Sequence, residues 1–244
     1  MSILTISFQH PDPALMTPFW YRFQQLSLPE LVAEGENEQT EFKRLVHSAS
    51  KIAKPITAFA NSTGGIILIG VDDDRRIVGI HSEKETLEIV HEALRFHIDP
   101  EPEIDIYVEE FKRRLVLMVL VPESPDKPHY HIEHTTDPRT RMSVTEKRVY
   151  TREGSRNRFL CDDRIALMQS KKNPLKLSFG TGEMQLFGYL REHRQITAEG
   201  YAEMAGISLQ KARETLIALV RSGAIVLLSE GKRSYYALAA QAMP

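Results

Sequence analysis

Sulfur is nearly absent as a crosslinking resource. Among 244 residues Cys161 is the one cysteine, which excludes an intramolecular disulfide framework and fits a reducing, cytoplasmic setting. Long apolar runs are also missing: the longest, 66–71 and 115–121, fall far short of the roughly 20 residues that cross a bilayer, so they read as buried strands. No membrane partner is expected. Residues 1–11 lack a cationic start followed by an apolar segment and a small-residue cleavage site, so no secretory signal is expected. Positive charge is not in excess either, because 31 Lys and Arg against 33 Asp and Glu leave a net charge of −2. The chain is no polycation, and any nucleic-acid site must come from local charge. There is no repeat period, no phosphate-binding GxxxxGK[ST] loop and no dinucleotide fingerprint, which removes the usual signatures of solenoids and nucleotide enzymes.

What is present is an ordinary globular composition, long enough for two domains. Helical spacing over 13–32, interrupted at Pro29, reads as a lead-in. Residues 41–46 suggest an edge strand, and Ile52, Ile56, Phe59 and Ala60 share one face of a helix that contains Pro55 and stops near Gly64-Gly65. Strands over 66–71 and 77–80 are expected to form a hairpin through Asp72, Asp73 and Asp74. A helix over 84–96 ends at Pro100, and strands 104–108 and 115–121 form a second hairpin. The proline- and histidine-rich stretch 122–138 reads as loop, followed by a short strand at 148–151 and a closing helix at 162–169. Polar, helix-breaking residues over 171–182 mark the domain boundary. Beyond it come three helices built on Met184, Phe187 and Leu190, on Tyr201 and Met204, and on Leu209 to Val220, then a two-stranded hairpin over 225–228 and 235–238.

Several separated motifs add a resemblance. Gly35-Glu36, Glu41-Phe42-Lys43, Ala58-Phe59-Ala60-Asn61, Gly64-Gly65, Ile69-Gly70-Val71-Asp72-Asp73 and Ile77-Val78-Gly79-Ile80 occur in this order, with Lys127-Pro128-His129-Tyr130 and Val149-Tyr150-Thr151-Arg152-Glu153-Gly154-Ser155 after them. Together they resemble the AlbA-like Schlafen domain, which is associated with DNA binding. The tail, through Tyr201-Ala202-Glu203, Gly206-Ile207-Ser208, Ala212-Arg213 and Tyr235-Tyr236-Ala237-Leu238, resembles winged-helix regulators, although its wing is poorer in arginine and glycine than is usual for them. The expected fold class is therefore α+β: a Schlafen/AlbA-like mixed sheet-and-helix domain plus a C-terminal winged helix-turn-helix. The lead-in is placed at 1–30 and the two domains at 31–172 and 181–240.

Three sets of residues carry functional readings. The resemblance implies that the third C-terminal helix enters the major groove, with Gln210, Lys211, Arg213 and Arg221 as its candidates and Lys232 and Arg233 at the wing. The bland reading of these residues is a solvated helix face. Residues 139–158 hold Arg139, Arg141, Lys147, Arg148, Arg152, Arg156 and Arg158 against Glu146 and Glu153, a local charge of +5 suited to phosphate, with Tyr150 available for stacking. A solvated loop is the plain alternative. Glu36, Glu41 and Asp72, with Lys43 beside them, resemble the carboxylates by which Schlafen nucleases hold Mg²⁺ or Mn²⁺, and Asp73 and Asp74 compete with Asp72 for that role. Against that stands a surface pair of Glu41 with Lys43 and a polar turn. His129, His131 and His134 lack a fourth ligand and read as loop residues. The expectation is a DNA-binding transcriptional regulator without a cofactor. RNA is the alternative partner, and the resemblance to two-lobed Schlafen nucleases implies a homodimer. A metal-dependent ribonuclease and a protein-interaction adaptor are the other readings.

Overall fold

The computed structural model describes residues 23, 25–136, 138–230 and 233–239. Two compact units divide the chain after Arg158.

The first unit is built on a sheet whose central strands are apolar from Gly65 to Ile69 and from Leu115 to Val121, the pattern of strands buried on both faces. In it β1 (Thr40–Lys43) pairs in parallel with β2 (Gly65–Ile69), and β2 pairs antiparallel with β5 (Arg114–Val121), which pairs antiparallel with β4 (Asp105–Phe111). Because side chains alternate across a strand, Ile67, Ile69, Leu117 and Val119 face one side, and Ile66, Leu68, Val116 and Leu120 the other. The first side is covered by α2 (Ala49–Ala60) and α3 (Glu83–His97), through Ile52, Ile56, Phe59, Val90 and Leu94. The other is covered by α1 (Leu28–Glu34), through Leu28, Leu31 and Val32. Phe59 and Gly65 lock together: a Cβ on Gly65 would lie 2.3 Å from the Phe59 ring, so only glycine fits there.

A second sheet in this unit has the order β3 (Ile98–Asp99), β6 (Tyr130–Thr136), β7 (Ser143–Glu153) and β8 (Arg156–Phe159). Asn61, just past α2, ties the helix to it. Its amide donates to the carbonyls of His129 (2.9 Å) and Tyr150 (3.0 Å), and its oxygen accepts from the His129 N–H (2.8 Å). One buried side chain thus satisfies backbone groups on two strands.

The second unit consists of α4 (Asp162–Ser170), α5 (Thr181–Glu192), α6 (Ala198–Ala205), α7 (Leu209–Arg221) and the antiparallel hairpin of β9 (Ile225–Glu230) and β10 (Arg233–Leu238). Leu186, Leu190, Tyr201, Leu216, Leu219 and Tyr236 form its core. Gly206 ends α6 in the left-handed conformation (φ 64°), and the Ser208 hydroxyl then caps α7 by accepting from the Lys211 N–H at 3.2 Å. A bridge between Ile196 and Tyr236 adds the segment before α6 to the hairpin edge.

Several expectations change. Pro29 opens α1 at its first turn, where a missing N–H costs nothing, and does not interrupt a helix; the rest of the lead-in lies outside the described residues, apart from a few positions. The hairpin expected after 66–71 is reduced to a single bridge, Val71 to Ile77. Residues 122–138 are not all loop, since β6 begins at Tyr130 and extends a ribbon with β7. The helix at 162–170, expected to close the first domain, belongs to the second compact unit.

Candidate nucleic-acid interface

The cationic run lies mainly on β7, β8 and the β6–β7 turn, so pairing with β6 presents it as a ribbon. Arg139 and Arg141 sit exposed in the turn, with Arg141 at φ 55°. Lys147 meets Asp99 at 2.7 Å, Arg158 meets Glu153 at 3.0 Å, and Arg148 pairs with Glu146. These are exposed pairs worth at most about 1 kcal/mol each, so a phosphate can replace the carboxylate. Arg156 is also exposed.

Arg152 is different. It is the member of the run that the fold consumes: its side chain is 1% exposed and lies 2.6 Å from the Glu41 carboxylate. Its guanidinium also donates to the carbonyls of Asn37 and Thr40 (both 3.1 Å) and to the Asn157 side chain (2.9 Å), with the Phe59 ring 5.0 Å away. It cannot reach a phosphate and serves to join β7 to β1. Tyr150 is likewise buried, with the Lys54 ammonium 4.5 Å over its ring, so it offers no stacking surface. Once Glu41 and Asp99 are counted with their partners, the charge of the 139–158 run falls from +5 to +3.

The carboxylate set implied by the resemblance does not fit a metal ion. Glu36 accepts from the Phe42 N–H at 2.9 Å, while Glu41 is flanked by two cations, Arg152 and Lys43. Asp72 accepts from the Arg76 N–H (2.8 Å) and guanidinium (3.0 Å). That N–H, and then the guanidinium charge, hold the Asp72 carboxyl below the usual range despite its burial. Asp73 and Asp74 stand exposed, and Asp74 also binds Arg76. Glu36 is held by a backbone N–H, Glu41 by Arg152 and Lys43, and Asp72 by Arg76, and among the described residues no three acidic, histidine or cysteine side chains are grouped to hold a metal. The carboxylates expected to hold Mg²⁺ or Mn²⁺ are thus engaged within the fold in this arrangement.

His131 and His134 lie on β6, while His129 is in the loop just before it. His129 and His131 are buried, with His129 Nδ1 2.6 Å from the Pro100 carbonyl and His131 Nε2 2.9 Å from that of Ser50. Burial lowers the His131 pKa.

In the second unit the groove candidates separate into two kinds. Arg213 meets the buried Asp163 of α4 at 2.9 Å, and Arg221 donates to the carbonyls of Ser170 (2.7 Å) and Asn173 (2.8 Å), closing the C-terminal end of α4. Both side chains hold α4 in this structure. Gln210 and Lys211 are exposed at the start of α7, with Glu214 one turn away at 3.1 and 4.0 Å. Arg233 is exposed at the start of β10, whereas Lys232 lies outside the described residues.

A mixed sheet clasped between helices, a second sheet that forms the basic ribbon, and a helical unit with a β-hairpin define a two-unit α+β protein. The chain belongs to the Schlafen, AlbA_2 family, which it matches over residues 36–160, and that membership points to nucleic-acid binding. It is similar to the N-terminal domain of an ATP-dependent DNA helicase RecG-related protein from Nitrosomonas europaea, with 24% identity and a TM-score of 0.39 over 43% of this chain and 80% of that one. It is also similar to the DIP2311 protein from Corynebacterium diphtheriae, with 17% identity and a TM-score of 0.45. That similarity covers 91% of this chain but 40% of the DIP2311 chain. No curated protein matches. Among the described residues no helix is long and apolar enough to cross a membrane.

Proposed function

We propose that the protein is a DNA-binding transcriptional regulator of the cytoplasm, working as a homodimer without a cofactor. Its C-terminal unit acts as a winged helix-turn-helix, and the basic ribbon of its Schlafen unit adds phosphate contacts. The observation that carries this reading is the turn from α6 to α7. A left-handed Gly206 and a Ser208 cap leave Gln210 and Lys211 exposed at the start of a 13-residue helix, the end that addresses base edges and phosphates in helix-turn-helix docking. The hairpin that follows α7, with the Ile196 bridge at its edge, supports the wing assignment. Few cations remain on α7 once Arg213 and Arg221 are committed to α4, so the affinity draws on the ribbon as well.

Fluorescence anisotropy with duplex DNA, single-stranded DNA and RNA at low salt tests the proposal. Binding led by the duplex, and weakened when Arg139, Arg141 and Arg156 are replaced together by alanine, is the expected result. RNA bound in preference to duplex would remove the regulator reading.

A further inference from the structure

Apart from the basic ribbon, the first unit contains a second concentration of cations. Two tight turns, at 72–77 and 111–114, lie side by side because the N–H groups of Val78 and Gly79 bind the Gly70 carbonyl (2.8 and 2.9 Å) and that of Ile80 binds the Leu115 carbonyl (2.8 Å). Between these turns and α1 opens a cleft of about 520 Å³, lined by Arg75, Arg76, Lys112 and Arg114 over an apolar floor that includes Ile77 and Phe111. Its size falls in the range of small-molecule sites, roughly 300–1,000 Å³.

The cations are held in place. Arg75 donates to the Ala33 carbonyl at 2.8 Å, Arg76 is anchored by Asp72 and Asp74, and Arg114 donates to the Ile77 carbonyl. Gly35 leaves room for Arg75, since a Cβ there would lie 2.8 Å from its guanidinium. Lys112 rests 5.1 Å over the Phe111 ring. Arg75 (φ 62°) and Lys112 (φ 50°) both adopt the left-handed backbone that side chains other than glycine rarely take, a form of strain that gathers at ligand sites. Single anchoring bonds on Arg75 and Arg114 leave most of each five-donor fork for a ligand.

We propose that this cleft binds a phosphate monoester carried on an apolar or planar body, with Arg75, Lys112 and Arg114 on the phosphate and the body against Ile77 and Phe111. Arg75, Lys112 and Arg114, beside an Arg76 already shared between Asp72 and Asp74, suit a doubly charged phosphate, which guanidinium forks grip in bidentate fashion. The apolar floor distinguishes the site from a simple phosphate track. Such a monoester arrives either as a free small molecule or as the 5′ end of a nucleic-acid strand.

Calorimetric titration of the full chain with adenosine 5′-monophosphate tests this, with adenosine and inorganic phosphate as partial probes and short oligonucleotides with and without a 5′-phosphate as the second arm. The monophosphate is expected to bind at least about tenfold tighter than either partial probe, and K112E to weaken it by a similar factor. K112G removes the amine while relieving the left-handed backbone, so it should fold at least as well and lose the same affinity. A 5′-phosphorylated oligonucleotide bound with the same Lys112 dependence, while the free monophosphate is not, assigns the site to strand ends. If neither ligand binds, or if both substitutions leave binding unchanged, the proposal is overturned.

Discussion

Arg152 and Glu41 form a buried ion pair at 2.6 Å that joins β7 to β1, with side chains 1% and 9% exposed. Removing one member strands the other in a dry environment, which is worse than never having the pair. Glu41→Gln should therefore lower unfolding stability in urea by about 3–5 kcal/mol. Arg152→Met in the same chain should recover part of that loss. A catalytic carboxylate would behave differently: an E41Q protein of unchanged stability that has lost Mn²⁺-dependent RNA cleavage would refute the ion-pair account.

On α7, Arg213 and Lys211 are two residues apart yet do different work, since Arg213 is anchored to Asp163 and Lys211 is exposed. Arg213→Ala leaves the buried Asp163 carboxylate uncompensated and should cost about 2 kcal/mol of stability, with the salt slope of DNA binding unchanged. Lys211→Ala should do the reverse. Denaturation and binding curves on both variants decide between them, and a matching loss of salt slope in R213A would return Arg213 to the interface.

His131 gives the first unit a pH dependence. Burial lowers its folded-state pKa, and its Nδ1 is enclosed without a partner among the described residues, so protonation places a bare N–H in the core. The unfolded chain takes up the proton more readily, near pH 6.5. The stabilisation from neutral His131 is therefore complete above that pH and is lost as pH falls from there through the lower folded pKa. Thermal melts from pH 7.5 to 5 should show this decline, and His131→Gln should flatten it. Parallel declines in the wild type and H131Q would exclude His131 as the source.

The dimer makes its own prediction. Phe179 (68% exposed) and Met184 (63% exposed) expose apolar surface at the start of α5, and Phe179 stacks on Phe187 at 5.8 Å. Light scattering at micromolar concentration should give twice the 27.9 kDa chain mass, and Phe179→Ser should shift it towards the monomer. A single-chain mass for the wild type would remove the two-fold arrangement.

How far the sequence could be read depended on the range of the interactions. Strands β2 and β5, helix α3 and the three C-terminal helices show in local apolar spacing, because each buries a continuous face. Strand β6 was hidden: its His131, and His129 just before it, are polar, and what lets them be buried is a carbonyl at Ser50 and another at Pro100, far away in the chain. Arg152 looked like any other cation in its run for the same reason, since Glu41 reaches it through the sheet. The cleft between Arg75 and Lys112 has no signature in the sequence, because the backbone bonds around Gly70 and Leu115 are what bring the two turns together.

The regulator reading comes down to Lys211 at the start of α7 and Arg233 at the start of β10. Each phosphate contact on a duplex contributes about 0.9 to the slope of log affinity against log salt. The deciding measurement is that slope for the wild type and for a Lys211→Ala, Arg233→Ala double variant on the same duplex. The account predicts a shallower slope for the double variant, by about 1.8, with its melting temperature unchanged. Identical slopes and affinities in the two proteins would contradict it.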